Sequence, residues 1–248
     1  MKPPAKRFHA AILAIALAVS ALPTISSAAV TATDSFDTYS VGTLQGANGG
    51  TGWTGTWHNY TDNALYGLVT NLNAYDGTQS ALMGSGTFAS SYRDYTSSTS
   101  QCFQFFVRAV NSNKTHRFQF STGAGTTAYC VDFDTDAKIY VKNNSCSETG
   151  KQDLGSYSAN TWYPIVAQYE SSQNQMRFQY NYGTWSNWTA ATSNGIPSRF
   201  SWMSSVASDP YLDAISPTTT CPSLSTATPP KRRSPGGGVA YGGGTMSF

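Results

Sequence analysis

The residues best suited to hold a ligand fall on two short alternating runs. In His116-Arg117-Phe118-Gln119-Phe120, Arg117 and Gln119 share one face and Phe118 and Phe120 the other. In Met176-Arg177-Phe178-Gln179-Tyr180-Asn181-Tyr182, Arg177 and Gln179 oppose Met, Phe and two Tyr. A period of two is that of a strand with one packed and one open face, so each run predicts a guanidinium and an amide turned toward solvent or ligand. The two faces match, and with Asp132 they would compose one polar surface if they lined the same groove. Just after the second run comes Trp185-Ser186-Asn187-Trp188. Two large aromatics in a loop are hard to bury, and an exposed indole can stack on a sugar ring.

The residues that would break bonds are scarcer. Glycoside hydrolysis needs two carboxyl groups flanking one bond, about 5 to 9 Å apart. The segment Val30–Ser216 has only two glutamates, Glu148 in a loop and Glu170 at the turn Tyr169-Glu170-Ser171-Ser172, and neither belongs to a Glu-x-Asp-x-x-Glu strand. Asp132, Asp134 and Asp136 alternate, but Asp134 to Ala137 reads as a hairpin turn whose Asp side chains satisfy local backbone donors. His116 alternates with Phe118 and Phe120, which marks it as buried or at a strand end, and His58 falls in a loop. No Gly-x-Ser-x-Gly elbow, P-loop or dinucleotide fingerprint occurs. The sequence assigns no catalytic residue, and whether the protein is an enzyme stays open.

These residues sit on a strand-rich scaffold. Runs rich in Phe, Tyr, Val and Ile recur between Gly, Asn, Asp and Ser clusters, without long helical periodicity, and the clearest strands are 101–110, 116–121, 128–133, 138–142, 162–169, 176–182 and 211–216. Trp162 and Trp202 lie within such runs and are expected in the core. The 187 residues from Val30 to Ser216 suffice for one sandwich domain. Residues 1–29 have a basic start (Lys2, Lys6, Arg7), an apolar run from Ala10 to Leu22 and the small-residue stretch Ser26-Ser27-Ala28-Ala29. That is the layout of a secretory signal peptide, too short to span a bilayer, so the mature chain is expected outside the cell with no transmembrane segment. From Pro217 to Phe248 a Thr/Pro-rich stretch, a basic triplet (Lys231-Arg232-Arg233) and two glycine triplets read as a disordered tail.

Charge and cysteine usage agree with export. The whole chain carries +2, but Val30–Ser216 holds nine basic and thirteen acidic side chains, a net of −4, which excludes a basic nucleic-acid-binding surface. Cys102, Cys130, Cys146 and Cys221 lack the spacing of a zinc site and, in an oxidising compartment, read as disulfides. Of the three connectivities, Cys130–Cys146 with Cys102–Cys221 is favoured, because a hairpin turning at 134–137 brings the first pair's segments close.

Four landmarks resemble bacterial secreted concanavalin A-like (laminin-G-like) jelly-roll domains. They are Asp34-Ser35-Phe36-Asp37-Thr38-Tyr39-Ser40-Val41-Gly42-Thr43-Leu44 with the following Gly49-Gly50-Thr51-Gly52-Trp53 and Trp57; the hairpin Phe133 to Ile139; Asn160-Thr161-Trp162-Tyr163; and Tyr211-Leu212-Asp213-Ala214-Ile215. The resemblance implies an all-β, two-sheet antiparallel jelly-roll sandwich whose first and last strands pair, with Trp53 and Trp57 as core or edge packing. It also implies a possible structural calcium ion held by Asp34, Asp37 and Asp213. Polysaccharide lyases of this architecture use Arg, Gln, His and Tyr on one face, which Arg117, Gln119, Arg177 and Gln179 match in part, but no Gln-x-His strand accompanies them here. Since this superfold hosts lectins, adhesion modules, hydrolases and lyases alike, the leading expectation is a non-catalytic module that binds a polysaccharide, a cell-surface glycan or a surface protein. The alternatives are a lyase or hydrolase with an atypical site, and a structural protein that assembles through its tail.

Overall fold

A computed structural model of the chain describes residues 32–221, except 61–62, 64–65, 85–88, 124–125, 144–145 and 191–194. The expected signal peptide and the tail beyond Cys221 lie outside the described residues. Fifteen strands are described: β1 (Gly42–Thr43), β2 (His58–Asn59), β3 (Gly67–Thr70), β4 (Ser80–Met83), β5 (Ala89–Asp94), β6 (Ser100–Arg108), β7 (His116–Ser121), β8 (Thr127–Phe133), β9 (Lys138–Asn143), β10 (Gln152–Ser156), β11 (Trp162–Glu170), β12 (Gln175–Tyr180), β13 (Thr189–Ala190), β14 (Arg199–Ser204) and β15 (Tyr211–Thr218). They form two antiparallel sheets, an eight-stranded one in the order β1-β3-β4-β15-β6-β11-β12-β13 and a seven-stranded one in the order β10-β9-β8-β7-β14-β5-β2. Among the described residues no helix is long and apolar enough to cross a membrane.

The alternation seen in the sequence fills the space between the sheets. Phe103, Phe105 and Val107 of β6, Ile165, Ala167 and Tyr169 of β11 and Met176, Phe178 and Tyr180 of β12 face Phe118 and Phe120 of β7, Val131 and Phe133 of β8 and Phe200 and Trp202 of β14. Aromatic pairs join the layers: Phe103 stacks on Phe200 with centroids 5.0 Å apart, and Phe105 meets Phe118 at 5.1 Å. Each such pair adds about 0.5–1.5 kcal/mol beyond the area it buries.

The chain ends close the sandwich as the landmarks imply. Asp34 pairs with Ile215 through two backbone bonds, Asp34 N to Ile215 O at 2.8 Å and Ile215 N to Asp34 O at 2.9 Å. Phe36 lies beyond this pairing in a left-handed turn (φ 61°), its ring buried against Trp57. Gly50 (φ 72°) passes so close to Thr33 that a Cβ there would meet the Thr33 carbonyl oxygen at 2.2 Å. The closing strand continues two residues past Ser216 to Thr218, and Cys221 joins Cys102, so the ordered domain extends into the segment read as tail. The second disulfide is Cys130–Cys146.

One core assignment needs correction. Trp202 is fully buried between the sheets, but Trp162 pairs in register with Arg108 on the outer side of the eight-stranded sheet, where its ring meets Tyr75 and Tyr211. Hydrophobicity placed Trp162 inside; the pleat places it outside, beneath a loop that supplies its cover.

Candidate functional site

The two Arg/Gln faces point away from each other. Phe118 and Phe120 face inward on the seven-stranded sheet, which turns Arg117 and Gln119 to that sheet's outer side. Met176, Phe178 and Tyr180 face inward on the eight-stranded sheet, which turns Arg177 and Gln179 to the opposite outer side of the molecule. The single groove of Arg117, Gln119, Asp132, Arg177 and Gln179 is therefore absent. Period-two reasoning fixes which residues share a face of one strand; it carries no information on which sheet the strand joins.

On the seven-stranded sheet, β7 and β8 place Arg117 opposite Asp132, and the guanidinium grips the carboxylate through two bonds, Nε to Oδ1 at 2.9 Å and Nη2 to Oδ2 at 2.7 Å. Lys142 of β9, 1% exposed, also reaches Asp132 at 2.8 Å and pairs with Glu148. Burial works against the Lys142 charge, yet its bonds to Asp132 and Glu148 and the field of Asp132 and Asp134 hold its pKa above the usual lysine range. Hydrogen bonding to Asp132 likewise raises Arg117. The Cys130–Cys146 disulfide lies on this outer side and brings the loop containing Glu148 across the sheet, with Gln119 donating to the Cys146 sulfur at 3.3 Å. A depression of 580 Å³ beside this network is lined by Lys114, Arg117, Asp134, Lys142, Glu148 and neighbours. Its cations and carboxylates largely neutralise one another.

At one end of the same depression Ser204, His116 and Asp209 have the spacing of a nucleophile–base–acid relay: Ser204 Oγ to His116 Nδ1 is 3.0 Å and His116 Nε2 to Asp209 Oδ2 is 3.2 Å. All three are buried, and Ser204 Oγ accepts the Val206 N–H at 3.1 Å. Asp209 accepts the Val110 and Asn111 N–H groups, both at 2.8 Å. Burial raises the Asp209 carboxyl, but its bonds from His116, Val110 and Asn111 overcome that and hold it below the usual range. The relay ties the 205–210 loop to the strand ends; it presents no accessible nucleophile.

The other outer side carries the aromatic residues. Arg177 lies between two indoles, its guanidinium carbon 4.6 Å from the Trp185 centroid and 4.5 Å from that of Trp188. The positions follow from local geometry. Asn181 (φ 47°) and Tyr182 (φ 58°) both adopt left-handed backbone, which ends β12 at Tyr180, two residues before the expected end of the strand. The chain then returns alongside: Trp185 bridges Gln179, and Gln179 donates to the Gly183 carbonyl at 2.7 Å. Trp185 thereby stands beside Arg177 from one side, and β13, paired with Gln175 and Met176, brings Trp188 from the other. Arg177 Nε donates to Gln168 Oε1 of the neighbouring β11 at 2.8 Å. Trp188 is 37% exposed. Trp185 also walls a cleft of 270 Å³ shared with Gln152, Asp153, Leu154, Thr184, Ser186 and Asn187.

The three aspartates expected to hold calcium are committed separately. Asp34 accepts from Arg93 at 2.7 Å, Tyr39 at 2.6 Å and Trp57 at 2.8 Å. Asp37 accepts the Thr78 and Gln79 N–H groups at 2.7 and 2.9 Å. Asp213 faces outward by alternation with the core residue Leu212 and accepts from the Tyr75, Asp76 and Ala214 N–H groups. Asp37 and Asp213 thus pin the 71–79 loop at two points, and Tyr75 of that loop stacks on Phe106 with centroids 3.7 Å apart. Their oxygens satisfy N–H donors, and no group of three His, Cys, Asp or Glu side chains suited to a metal occurs among the described residues. The trio does not fit one shared ion.

Gln168, Lys142 and the Gln152–Asn187 cleft were not singled out from the sequence, and Glu148 was weighed there only as a catalytic carboxylate. Gln168 had a usable signal: the short turn 171–174 makes β11 and β12 a hairpin, whose register sets Gln168 opposite Arg177.

No protein-family model matches the chain, and no curated protein matches it in sequence. Among solved structures it is similar to a sialidase, with a TM-score of 0.52 at 10% identity over 66% of this chain and 17% of that one. It also overlaps the botulinum neurotoxin serotype C1 binding domain (TM-score 0.49, 11% identity, 77% of this chain and 48% of that one). A third overlap is the binding domain of botulinum neurotoxin DC in complex with SialylT (0.47, 13%, 72% and 47%). The chain therefore spans less than a fifth of the sialidase and about half of the toxin domains. The sialidase likeness shows the fold, an antiparallel β-sandwich.

Proposed function

We propose that residues 32–221 form a carbohydrate-binding or cell-surface adhesion module, exported from the cell and related to concanavalin A-like (laminin-G-like) jelly rolls. The observation that carries this reading is the Trp185–Arg177–Trp188 cluster beside its cleft. Both indoles are held in place by a cation that fills the space between them, so their remaining faces and edges are available without a side-chain ordering cost on binding. Sugar recognition uses this combination of a rigid aromatic surface and nearby amides, here Gln152, Gln168 and Asn187. Two disulfides and the signal-peptide layout of residues 1–29 support export. The lyase or hydrolase alternative required one groove lined from both Arg/Gln runs, and those runs lie on opposite outer sides.

Glycan-array and polysaccharide pull-down measurements on the disulfide-bonded protein test the proposal. Binding to at least one polysaccharide or surface glycan is expected, reduced at least about tenfold by Trp188→Ala. Retention of no glycan at all would overturn it.

A further inference from the structure

Resting on the glycan-binding reading, we propose that Arg177 makes this site selective for acidic sugars, taking the carboxylate of a uronic acid or the sulfate of a sulfated sugar. Of the five arginines among the described residues, the other four have committed terminal nitrogens. Arg93 reaches Asp34, Tyr39, Gly49 and Asn48. Arg108 reaches Asn160, Arg117 grips Asp132, and Arg199 grips Asp94. Arg177 uses only Nε, toward the neutral amide of Gln168, and forms no ion pair among the described residues. Its Nη1 and Nη2 make no hydrogen bond to a described residue, while its guanidinium carbon packs against both the Trp185 and the Trp188 rings.

With Nε bonded to Gln168 and two rings packed on the guanidinium, the Nη1 and Nη2 N–H groups are what it has left to offer a ligand. A guanidinium edge presents parallel N–H groups with the spacing of a planar oxyanion, and the paired bonds are charge-assisted. Contact with two rings and the Nε bond to Gln168 hold the side chain in place, so little rotamer freedom is lost when a ligand binds. The nearest acidic group on the adjoining outward row, Glu170, turns its Oε1 to the Ser172 N–H at 3.1 Å. In the cleft beyond Trp185, Asp153 is neutralised by Lys138 at 2.6 Å. Among the described residues, an oxyanion at Arg177 therefore meets a cation that has no carboxylate within ion-pair distance, although the domain as a whole is acidic. The sugar ring that bears it would lie against Trp188 or at the mouth of the Trp185 cleft.

The test compares matched polymers by isothermal titration calorimetry on the intact, disulfide-bonded chain: polygalacturonate against its fully methyl-esterified form, and dextran sulfate against dextran. Binding to one acidic polymer is expected, at least about tenfold tighter than to its neutral counterpart, and the pair that shows it tells carboxylate from sulfate. Arg177→Lys keeps the charge and removes the planar fork. It is expected to weaken acidic-polymer binding at least about tenfold with the thermal midpoint kept, which separates ligand contact from a purely structural Trp–Arg–Trp ladder. Equal affinity for acidic and neutral partners, binding to neutral glycans alone, or an Arg177→Lys variant that binds like the wild type would overturn the selectivity and leave the glycan-binding reading standing. Failure to bind any glycan would overturn both.

Discussion

Replacing Asp34 by alanine is expected to destabilise the domain by about 4–6 kcal/mol. Arg93 and Asp34 are each 1% exposed at their side chains and 2.7 Å apart, enclosed by Trp53 and Trp57, whose centroids lie 4.9 and 5.9 Å from the guanidinium carbon. Removing the acid leaves a buried cation without its counter-charge, at a cost of about 3–5 kcal/mol. The Trp57 indole N–H, bonded to Asp34 at 2.8 Å, also loses its acceptor, adding about 1–3 kcal/mol when no replacement forms. Arg93 keeps the carbonyls of Gly49 and Gly55, which places the total near the lower part of the summed range. The assay is a urea-denaturation double-mutant cycle followed by tryptophan fluorescence, with Asp34→Ala, Arg93→Met and the double variant. The double variant should cost at least about 2 kcal/mol less than the sum of the single ones, and millimolar calcium should not change the cycle. A cost below about 1 kcal/mol, or additive effects, would refute the assignment of Asp34 as the anchor of the N-terminal segment.

Burial, with the Asp37 charge added, pushes the Asp213 carboxyl up to about 8 against hydrogen bonds that lower it. The folded protein therefore holds a proton that the unfolded chain releases, so this group's contribution is full below about pH 4 and falls by about 1.4 kcal/mol per pH unit until about pH 8; urea midpoints of Asp213→Asn should show a flatter profile than wild type over that window, and parallel profiles would contradict it. Asp132→Ala should cost about 3–5 kcal/mol in urea melts because it strands buried Lys142 beside Arg117, and a loss under about 1 kcal/mol would show that Glu148 suffices. Opening the Cys130–Cys146 bridge by a double Cys→Ser exchange closes no loop across its 16-residue separation and should cost about 3 kcal/mol by the same melts; an unchanged midpoint would count against it.

What could be read from the chain depended on whether local pattern or distant pairing decided the outcome. β6, β7, β8, β9, β11, β12 and β15 were legible because each buries an apolar face that alternates. β5 was not: Ala89, Ser91 and Arg93 are its inward residues, so a buried arginine and a serine occupy positions where periodicity seeks hydrophobes. Its partners, Asp34 and Asn59, come from 59 and 32 residues away, and no local signal reveals them. For the site, alternation turned each Arg/Gln pair to the outer side of its sheet, but Gln179 is buried beneath the returning 183–185 segment, and Trp185 and Trp188 follow the end of β12. Their grouping failed for a topological reason, since β7 and β12 belong to different sheets. Asp34, Asp37 and Asp213 illustrate the same limit: the pairing of the terminal segments was foreseen, but not the N–H donors of the 71–79 loop that occupy two of the three carboxylates.

Native affinity electrophoresis through gels containing a polysaccharide that the wild-type protein binds tests the central assignment most directly, with Trp185→Ala/Trp188→Ala compared against Arg117→Ala. The account predicts retardation of the wild type and of Arg117→Ala, and loss of retardation in the tryptophan double variant with its fold intact by circular dichroism. Retardation that survives the loss of both indoles would contradict it and move the binding surface to the opposite sheet.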